Sequence, residues 1–238
     1  MASKRKKTYL IGIAVALLLP LFSFLVFQQM SKGKIQLPKH YGIAFVDTIR
    51  TEEGNIRYDT FYRETEDVSL TNQLGKQVTL NKDLRGKILV INFFDTQDTL
   101  ISPIVAANMH NIEQRFQDKA YKKPKQGNVG KDFQLVSITV RPAREKVPQI
   151  RTFADEQQVN SDHWWLLTGD SAAVYSYALK QLNLPLLKDG KRNPKVLSQI
   201  VLVDTFRHIR GYFNGLDTFQ LSQLADDISI ISMEKREK

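Results

Sequence analysis

The sequence predicts an α/β fold, a central mixed sheet flanked by helices, and two neighbouring segments carry this prediction. Ile88–Phe94 is an apolar, partly β-branched run, short enough to be a strand buried on both faces. Residues 95–101 are mainly polar, and beyond them apolar residues recur at the spacing of one helix face, at Val105, Met109, Ile112 and Phe116. The polar loop therefore lies at the carboxyl end of a central strand, where α/β sheets place their chemistry.

Length, charge and cysteine content narrow the class of protein. The 238 residues suffice for one domain with a substantial core plus appendages. The net charge of +9 is partly due to Lys4, Arg5, Lys6 and Lys7, and no basic helix interleaved with aromatic residues follows, so no nucleic-acid partner is expected. The chain contains no cysteine, which excludes disulfides and thiolate metal sites.

The N-terminal segment predicts a membrane anchor. Residues 9–27 are 19 residues without a charge, about enough to cross the hydrocarbon core of a bilayer. The alternative is a cleaved signal peptide, but the apolar run is long for one and no small-residue cleavage pattern follows. The basic residues 1–8 should stay cytoplasmic under the positive-inside rule, which places the remainder on the extracytoplasmic side. We expect a linker and extension over residues 28–66 and the main domain over residues 67–238.

Two hairpins are expected before the central strand. Residues 41–62 alternate around Glu53-Gly54-Asn55, and residues 67–80 alternate around Leu74-Gly75-Lys76. The second hairpin leads through Leu84-Arg85-Gly86-Lys87 into the strand. This entry is similar to the one shared by membrane-tethered thioredoxin-like proteins and peroxiredoxins.

The remaining elements follow from local patterns. A strand is expected over residues 133–140, a helix opened by Pro148, and a helix capped by Asp170 or Ser171. Trp164 and Trp165 are expected in the core and at its rim. A hairpin of residues 200–204 and 209–213 and a final helix capped by Asp217 complete the chain. Between the first helix and strand 133–140, a lysine-rich loop is expected over residues 118–131.

The turn NFFDTQDTLISPIVAANM, residues 92–109, resembles the active-site turn NFFFTSCPxxCPxMxxNM of the SCO/SenC family. Two further segments resemble that family, WWLLTGD from Trp164 and VLVDTFRHIRGYFNGLD from Val201. The resemblance covers about residues 67–233. It implies a thioredoxin-like fold with N-terminal hairpin additions, in a family of membrane-bound proteins that serve copper delivery to cytochrome c oxidase.

The chain departs from the family pattern at the positions that carry its chemistry. The two family cysteines fall on Asp98 and Ser102, and the family's histidine ligand falls on Val196 or Leu197. An acidic position of the segment after strand 133–140 has become Arg141. Copper(I) prefers thiolate, thioether and imidazole ligands, and thiol exchange requires a thiolate. The resemblance therefore implies a degenerate member without a copper site, redox activity or cofactor, and not an enzyme.

Asp98 and Ser102 could also have structural, metal-binding or nucleophilic roles. Ser102 is expected to cap the helix that Pro103 opens, and Asp98 to favour the positive end of that helix. A replacement metal site could join Asp98 to His110 or His163, which would leave a working metallochaperone without thiol ligands. A nucleophilic Ser102 would need a base that the sequence does not supply.

The sequence therefore predicts a membrane-tethered, non-catalytic protein that acts by binding another protein in respiratory-complex or envelope assembly. The expected partner is a respiratory oxidase subunit or an intact SCO-like paralogue. The expected interaction surface combines the polar turn with part of the lysine-rich loop, and comprises Asp95, Gln97, Asp98, Thr99, Arg141, Lys122, Lys123 and Lys125.

Overall fold

The computed structural model describes residues 18–23, 41–50, 56–117, 132–188 and 190–234. The chain divides into two compact units, residues 1–37 and 38–238. In the first unit, residues 18–23 are helical and belong to the predicted anchor, whose other residues lie outside the described ranges. Among the described helices, none has both the length and the apolar character needed to traverse a bilayer. The lysine-rich loop 118–131 also lies outside the described residues.

The described strands and helices match the predicted order of elements. The strands are β1 Ile43–Arg50, β2 Ile56–Tyr62, β3 Ser69–Asn72, β4 Gln77–Thr79, β5 Ile88–Phe94, β6 Phe133–Thr139, β7 Trp164–Thr168, β8 Leu187–Lys188, β9 Lys191–Arg192, β10 Gln199–Val203 and β11 Ile209–Asn214. The helices are α1 Leu80–Asp83, α2 Ile101–Gln117, α3 Val147–Glu156, α4 Ser171–Ser176 and α5 Thr218–Glu234, with a π-helix Tyr177–Gln181 and a 3₁₀-helix Pro194–Ser198.

A seven-stranded sheet of order β11-β10-β5-β6-β7-β3-β4 forms the centre of the second unit. Strands β5, β6 and β7 run parallel, and β10 pairs antiparallel with β5. The predicted mixed sheet flanked by helices is therefore confirmed. Strands β5 and β6 are buried along their length, as expected for a sheet covered on both faces.

Successive residues of β5 point to opposite faces of the sheet and supply two cores. Leu89, Ile91 and Phe93 join the core that contains the π-helix and the 3₁₀-helix. Ile88, Val90 and Phe94 join the core formed with α2, α3 and α5. The predicted apolar face of α2 is buried in this second core, with Val105 and Met109 at 0% exposure. The alternation along β5 thus fixes which helices cover each face.

Both predicted hairpins are present. Strands β1 and β2 pair antiparallel in a separate two-stranded sheet, and residues 51–55 of their predicted turn lie outside the described residues. Strands β3 and β4 pair antiparallel at the edge of the main sheet. Their turn is closed by the Asn72 side chain, which accepts from the backbone N–H groups of Leu74 and Lys76. Gly75 in this turn has a φ of +82°, which glycine adopts without strain.

Two of the three predicted helix caps are confirmed here. The Asp170 side chain accepts from the backbone N–H of Ala173, so Asp170 rather than Ser171 caps α4. The Asp217 side chain accepts from the backbone N–H groups of Phe219 and Gln220 and caps α5. The third cap, assigned to Ser102, belongs to the candidate site.

A chain of buried hydrogen bonds links the three parallel strands. The indole Nε1 of Trp164 on β7 donates to Ser137 Oγ on β6 over 2.8 Å. Ser137 Oγ donates in turn to Asn92 Oδ1 on β5 over 2.6 Å. Trp164 is 1% exposed and Trp165 is half-buried, which confirms the predicted core and rim positions. The relay satisfies polar atoms that would otherwise be buried without partners.

Replacing Ser137 with alanine should destabilise the domain by about 1–3 kcal/mol, because it leaves the Trp164 N–H and the Asn92 carbonyl buried without a partner. Urea unfolding measures this change in the free energy of unfolding. Ser229→Ala is the matched control, since Ser229 Oγ only donates to the carbonyl of Ala225 in its own helix and its loss should cost under about 0.5 kcal/mol. Equal effects of the two substitutions would contradict the relay's role.

Candidate functional site at the turn after β5

The site forms where the parallel strands β5 and β6 end side by side. The backbone N–H of Val140, just beyond β6, donates to the carbonyl of Phe94 at the end of β5 over 2.9 Å. This places the polar turn, residues 95–100, beside the segment 140–146 that follows β6. The carboxyl ends of neighbouring parallel strands meet at one edge of a sheet, as predicted for the central loop.

A cavity of about 410 Å³ opens beside the turn. One part of its lining is polar and charged, and the other is apolar. Its lining residues are Asp95, Gln97, Asp98, Val140, Arg141, Leu186, Asn193, Pro194 and Leu197. The structure thus brings together Asp98, Arg141 and Leu197, which are far apart in sequence.

Asp98, not Ser102, accepts the backbone N–H groups at the start of α2, so the predicted Ser102 cap is wrong. The Asp98 carboxylate accepts from the backbone N–H groups of Leu100 and Ser102. Ser102 Oγ instead accepts from the backbone N–H of Asp95 over 3.1 Å, and Ser102 is 2% exposed. The helix begins at Ile101, one residue before the predicted cap, which places Ser102 inside its first turn.

Hydrogen bonding keeps the Asp98 carboxylate ionised. Partial burial alone would raise the pKa of Asp98, but the hydrogen bonds from the backbone and hydroxyl of Ser102 and from the backbone of Leu100 and Ile101 outweigh it and lower the pKa below its ordinary value. The negative charge also faces the positive end of α2. Asp98 is therefore both a structural acceptor and a half-exposed negative charge at the cavity.

A buried group of charged side chains lies behind the turn; we call Asp95, Arg141 and Glu145 the charge cluster. Arg141 Nη1 lies 3.3 Å from Asp95 Oδ1, and Arg141 Nε lies 3.9 Å from Glu145 Oε1. Arg141 is 9% exposed, Asp95 4% and Glu145 2%. Arg141 Nη1 also donates to Gln97 Oε1. One guanidinium thus offsets two buried carboxylates.

Hydrogen bonds of Glu145 connect the charge cluster to the ends of β5 and β6. Its Oε1 accepts from the backbone N–H of Thr96 over 2.9 Å and from the Thr96 hydroxyl over 2.7 Å, and its other oxygen accepts from the Thr139 hydroxyl. Burial raises the pKa of Glu145 and the charge of Asp95 adds to this shift, while the hydrogen bonds from Thr139 and Thr96 oppose it. The cluster therefore joins the ends of β5 and β6 through one carboxyl group.

The two alternatives for the family's histidine position differ in their surroundings. Leu197 lines the cavity with Asp98. Val196 is 2% exposed, belongs to the first core and does not line that cavity. Both lie in the 3₁₀-helix Pro194–Ser198. Of the two positions, Leu197 lines the same cavity as Asp98 and Val196 does not.

The residues at the turn do not fit a soft metal ion. The Asp98 and Ser102 oxygens are hard ligands that already accept backbone N–H groups, and Leu197 has no donor atom. Met109 is 0% exposed in the second core and lines no part of the cavity. The groups needed to bind copper(I) are thus not supplied by the side chains that line it.

The structure does not join Asp98 to His110 or His163. His110 lies 3.4 Å from Glu113 through Nδ1 and 2.8 Å from the Gln114 amide through Nε2. His163 is in the turn before β7, and neither histidine lines the cavity. Over the ranges that the structure describes, no three His, Asp or Glu side chains are arranged to hold a metal ion.

The predicted interaction surface divides into buried and exposed parts. Gln97 and Thr99 are exposed, Asp98 is half-buried, and Asp95 and Arg141 are buried but line the cavity. Lys122, Lys123 and Lys125 lie outside the described residues. Two features were not predicted from sequence. Glu145 completes the charge cluster, and the apolar side chains of Leu100 and Ile104 are 71% and 53% exposed beside the turn.

Comparisons with known proteins find relatives of this chain in sequence and in fold. The SCO1 protein homolog of Bacillus subtilis (strain 168) is 27% identical over 179 residues, which cover 74% of this chain and 87% of that protein. The structure of BsSco, described as a member of the Sco family of cytochrome c oxidase assembly proteins, is 24% identical with a TM-score of 0.59, covering 71% of this chain and 94% of that one. The structure of Arabidopsis thaliana ScoI with copper bound is 19% identical with a TM-score of 0.56, covering 72% and 99%.

The two solved structures share the fold of the second unit. A family model described as SCO1/SenC matches residues 58–230, which span the central sheet, the turn after β5 and most of α5. This match covers well over half of the sequence. The chain therefore belongs to the SCO1/SenC family.

Proposed function

We propose that this chain is a SCO1/SenC protein without a copper site, which acts by binding another protein during assembly of cytochrome c oxidase or of the cell envelope. One observation carries the proposal. The side chains at the two family cysteine positions, Asp98 and Ser102, accept backbone hydrogen bonds that hold the turn and the first turn of α2. The polar groups that replaced the thiols therefore have structural roles.

The charge cluster supports the absence of a bound cation. The guanidinium of Arg141 is permanently charged and lines the cavity beside Asp98. This guanidinium occupies the position between Asp95 and Glu145 that a metal cation would otherwise fill. We infer that an internal ion pair now stabilises the turn.

The surface beside the turn supports action through contact. Leu100 and Ile104 lie one helical turn apart and are largely exposed. We call Leu100 and Ile104 the exposed stripe. Asn108, one turn further along α2, donates a hydrogen bond to the carbonyl of Gly215. The stripe therefore leads toward Leu216 and Phe219, which are 42% and 77% exposed. Exposed large apolar side chains grouped on one side of a domain are typical of a protein-binding surface.

Family membership and the sequence support the proposed partner and location. BsSco is described as a cytochrome c oxidase assembly protein. By analogy, the partner proposed here is a respiratory oxidase subunit or an intact SCO-like paralogue. The N-terminal segment 9–27 would anchor the chain, with the globular domain on the extracytoplasmic side. No catalytic step and no cofactor are assigned.

Replacing Arg141 with methionine should destabilise the domain by about 3 kcal/mol near neutral pH, because it removes the buried cation that pairs with the Asp95 and Glu145 carboxylates. Without the guanidinium the pKa of Glu145, which burial already raises, rises further. Protonation then favours the folded state, so the loss of stability should shrink as the pH falls toward about 4. Denaturant unfolding at several pH values measures this trend.

The matched control for this variant is Arg144→Met, since Arg144 lies in the same segment with an exposed side chain. Its effect should stay under about 0.5 kcal/mol at every pH. A pH-independent effect of the Arg141 substitution would show that the guanidinium contributes by packing alone.

The assembly role can be tested by crosslinking in intact membranes. A photo-reactive amino acid at position 100, on the exposed stripe, should capture an oxidase subunit or an intact SCO-like protein. The matched control is position 179 on the π-helix, where Leu179 is 53% exposed and does not line the cavity. Equal capture from both positions, or capture of proteins unrelated to the oxidase, would contradict the proposal.

Restoring the family ligands should restore copper binding if the positions are assigned correctly. The variant Asp98→Cys, Ser102→Cys, Leu197→His should bind copper(I), because it supplies two thiolates four residues apart at the start of α2 and an imidazole at a position that lines the cavity with Asp98. The same variant with Val196→His in place of Leu197→His should bind copper more weakly, since Val196 does not line the cavity. Failure of the well-folded Leu197 version to take up copper would refute the assignment.

A further inference from the structure

We propose that the cavity beside the turn receives a lysine side chain of the partner protein. This inference rests on the proposed function, because it names the chemistry of the partner that binds at that same site. The occupant needs a positive charge, a long apolar stem and apolar neighbours, and each requirement follows from the residues that form the cavity.

The charge of the lining favours a cation. Among the residues that line the cavity, Asp95 and Asp98 are acidic and Arg141 is the basic counterpart, which gives a formal charge of −1 even if Glu145 behind them is protonated. The guanidinium is already offset by Asp95 at 3.3 Å and approached by Glu145 at 3.9 Å. Asp98 lies further out and has no cationic partner among the described ion pairs. Its charge is the one available to a ligand.

The hydrogen bonds of Asp98 favour an ammonium over a guanidinium. Both of its oxygens already accept hydrogen bonds at the start of α2, from the backbone of Leu100, Ile101 and Ser102 and from the Ser102 hydroxyl. A bidentate arginine would need both oxygens in a planar arrangement, whereas an ammonium is a compact charge that needs to approach only one of them. A point charge thus fits Asp98 better than a planar fork.

The walls of the cavity fit the stem of such a side chain. Val140, Leu186, Pro194 and Leu197 contribute the apolar part of the lining. Lysine buries its four methylene groups along apolar surface while its ammonium meets a polar group. The cavity of about 410 Å³ is large enough for one such side chain with water. A carboxylate ligand would instead approach Asp95 and Asp98 with like charge.

The rim of the cavity favours apolar residues beside the lysine. Leu100 is 71% exposed and Ile104 53% exposed on the stripe next to the turn. The net charge of +9 of the whole chain does not oppose a cationic group at short range, because at physiological ionic strength charges further than about 8 Å away are largely screened. The complementary segment is therefore a lysine flanked by apolar residues.

The test is a titration of the isotope-labelled full chain, in detergent micelles, with three blocked peptides, acetyl-Leu-X-Leu-amide with X as lysine, norleucine or glutamate. Backbone amide shifts of residues 95–102 report binding. The lysine peptide should bind about tenfold more tightly than the norleucine peptide, as expected for one charge-assisted hydrogen bond, and the glutamate peptide more weakly than both.

Substitutions then assign the preference to the cavity. Asp98→Asn keeps a side-chain acceptor for α2 but removes the charge, so the lysine preference should disappear. The matched control Asp155→Asn, at an exposed carboxylate of α3, should keep it. A second variant, Gln97→Lys, adds a competing ammonium to the lining and should weaken the lysine peptide without disturbing the cap of α2.

The outcomes separate this inference from the function on which it rests. Equal affinity for the lysine and norleucine peptides, tighter binding of the glutamate peptide, or a lysine preference that survives Asp98→Asn would overturn the lysine site. Capture of an oxidase subunit from position 100 despite one of these results would leave the assembly role standing and the lysine proposal refuted.

Discussion

The ion pairs of Arg141 with Asp95 and Glu145 are the constraint on which the rest of the site depends. All three side chains are buried, and burying charge is favourable only when the charges are paired and hydrogen-bonded. Glu145 reaches Thr96 after β5 and Thr139 at the end of β6, so the cluster links the segments that leave two strand ends already paired by the backbone ladder. The shape of the turn, and of the cavity beside it, follows from that arrangement.

The surrounding fold makes such a cluster possible. The relay from Trp164 through Ser137 to Asn92 holds the three parallel strands together beneath the turn, and both cores pack against β5. On this base, Asp98 holds the start of α2 by accepting backbone N–H groups, a role that a carboxylate fills well at the positive end of a helix. The family turn is thus retained as a structure whose stability comes from charge pairing and capping.

Sequence patterns predicted the elements whose signals are local. Strand β5, the two hairpins and the caps at Asp170 and Asp217 each depend on a few adjacent residues, and all are present. The Ser102 cap was wrong because the helix begins one residue earlier, at Ile101, where the Asp98 carboxylate accepts the first backbone N–H groups. A short-range pattern cannot decide which of two nearby capping side chains marks the start of a helix.

The contacts of the charge cluster could not be predicted in the same way. Arg141 and Glu145 lie in a single tight turn, in which the backbone N–H of Glu145 donates to the carbonyl of Arg141. The sequence of this turn has no helical periodicity from which it could be predicted. The pairing of Arg141 with Asp95 joins residues 46 positions apart and requires the parallel register of β5 and β6. For the same reason, Val196 and Leu197 could be distinguished only by their position in the folded 3₁₀-helix.

The most direct test of the central claim is a copper(I) titration of the full chain against a competing chromophoric chelator. Because the turn offers only hydrogen-bonded oxygens and a buried guanidinium, we expect the chelator to hold the copper and the protein to show no site tighter than about micromolar, equivalent to about 8 kcal/mol of binding free energy. Uptake of one equivalent above that affinity, abolished by Asp98→Asn, would contradict it.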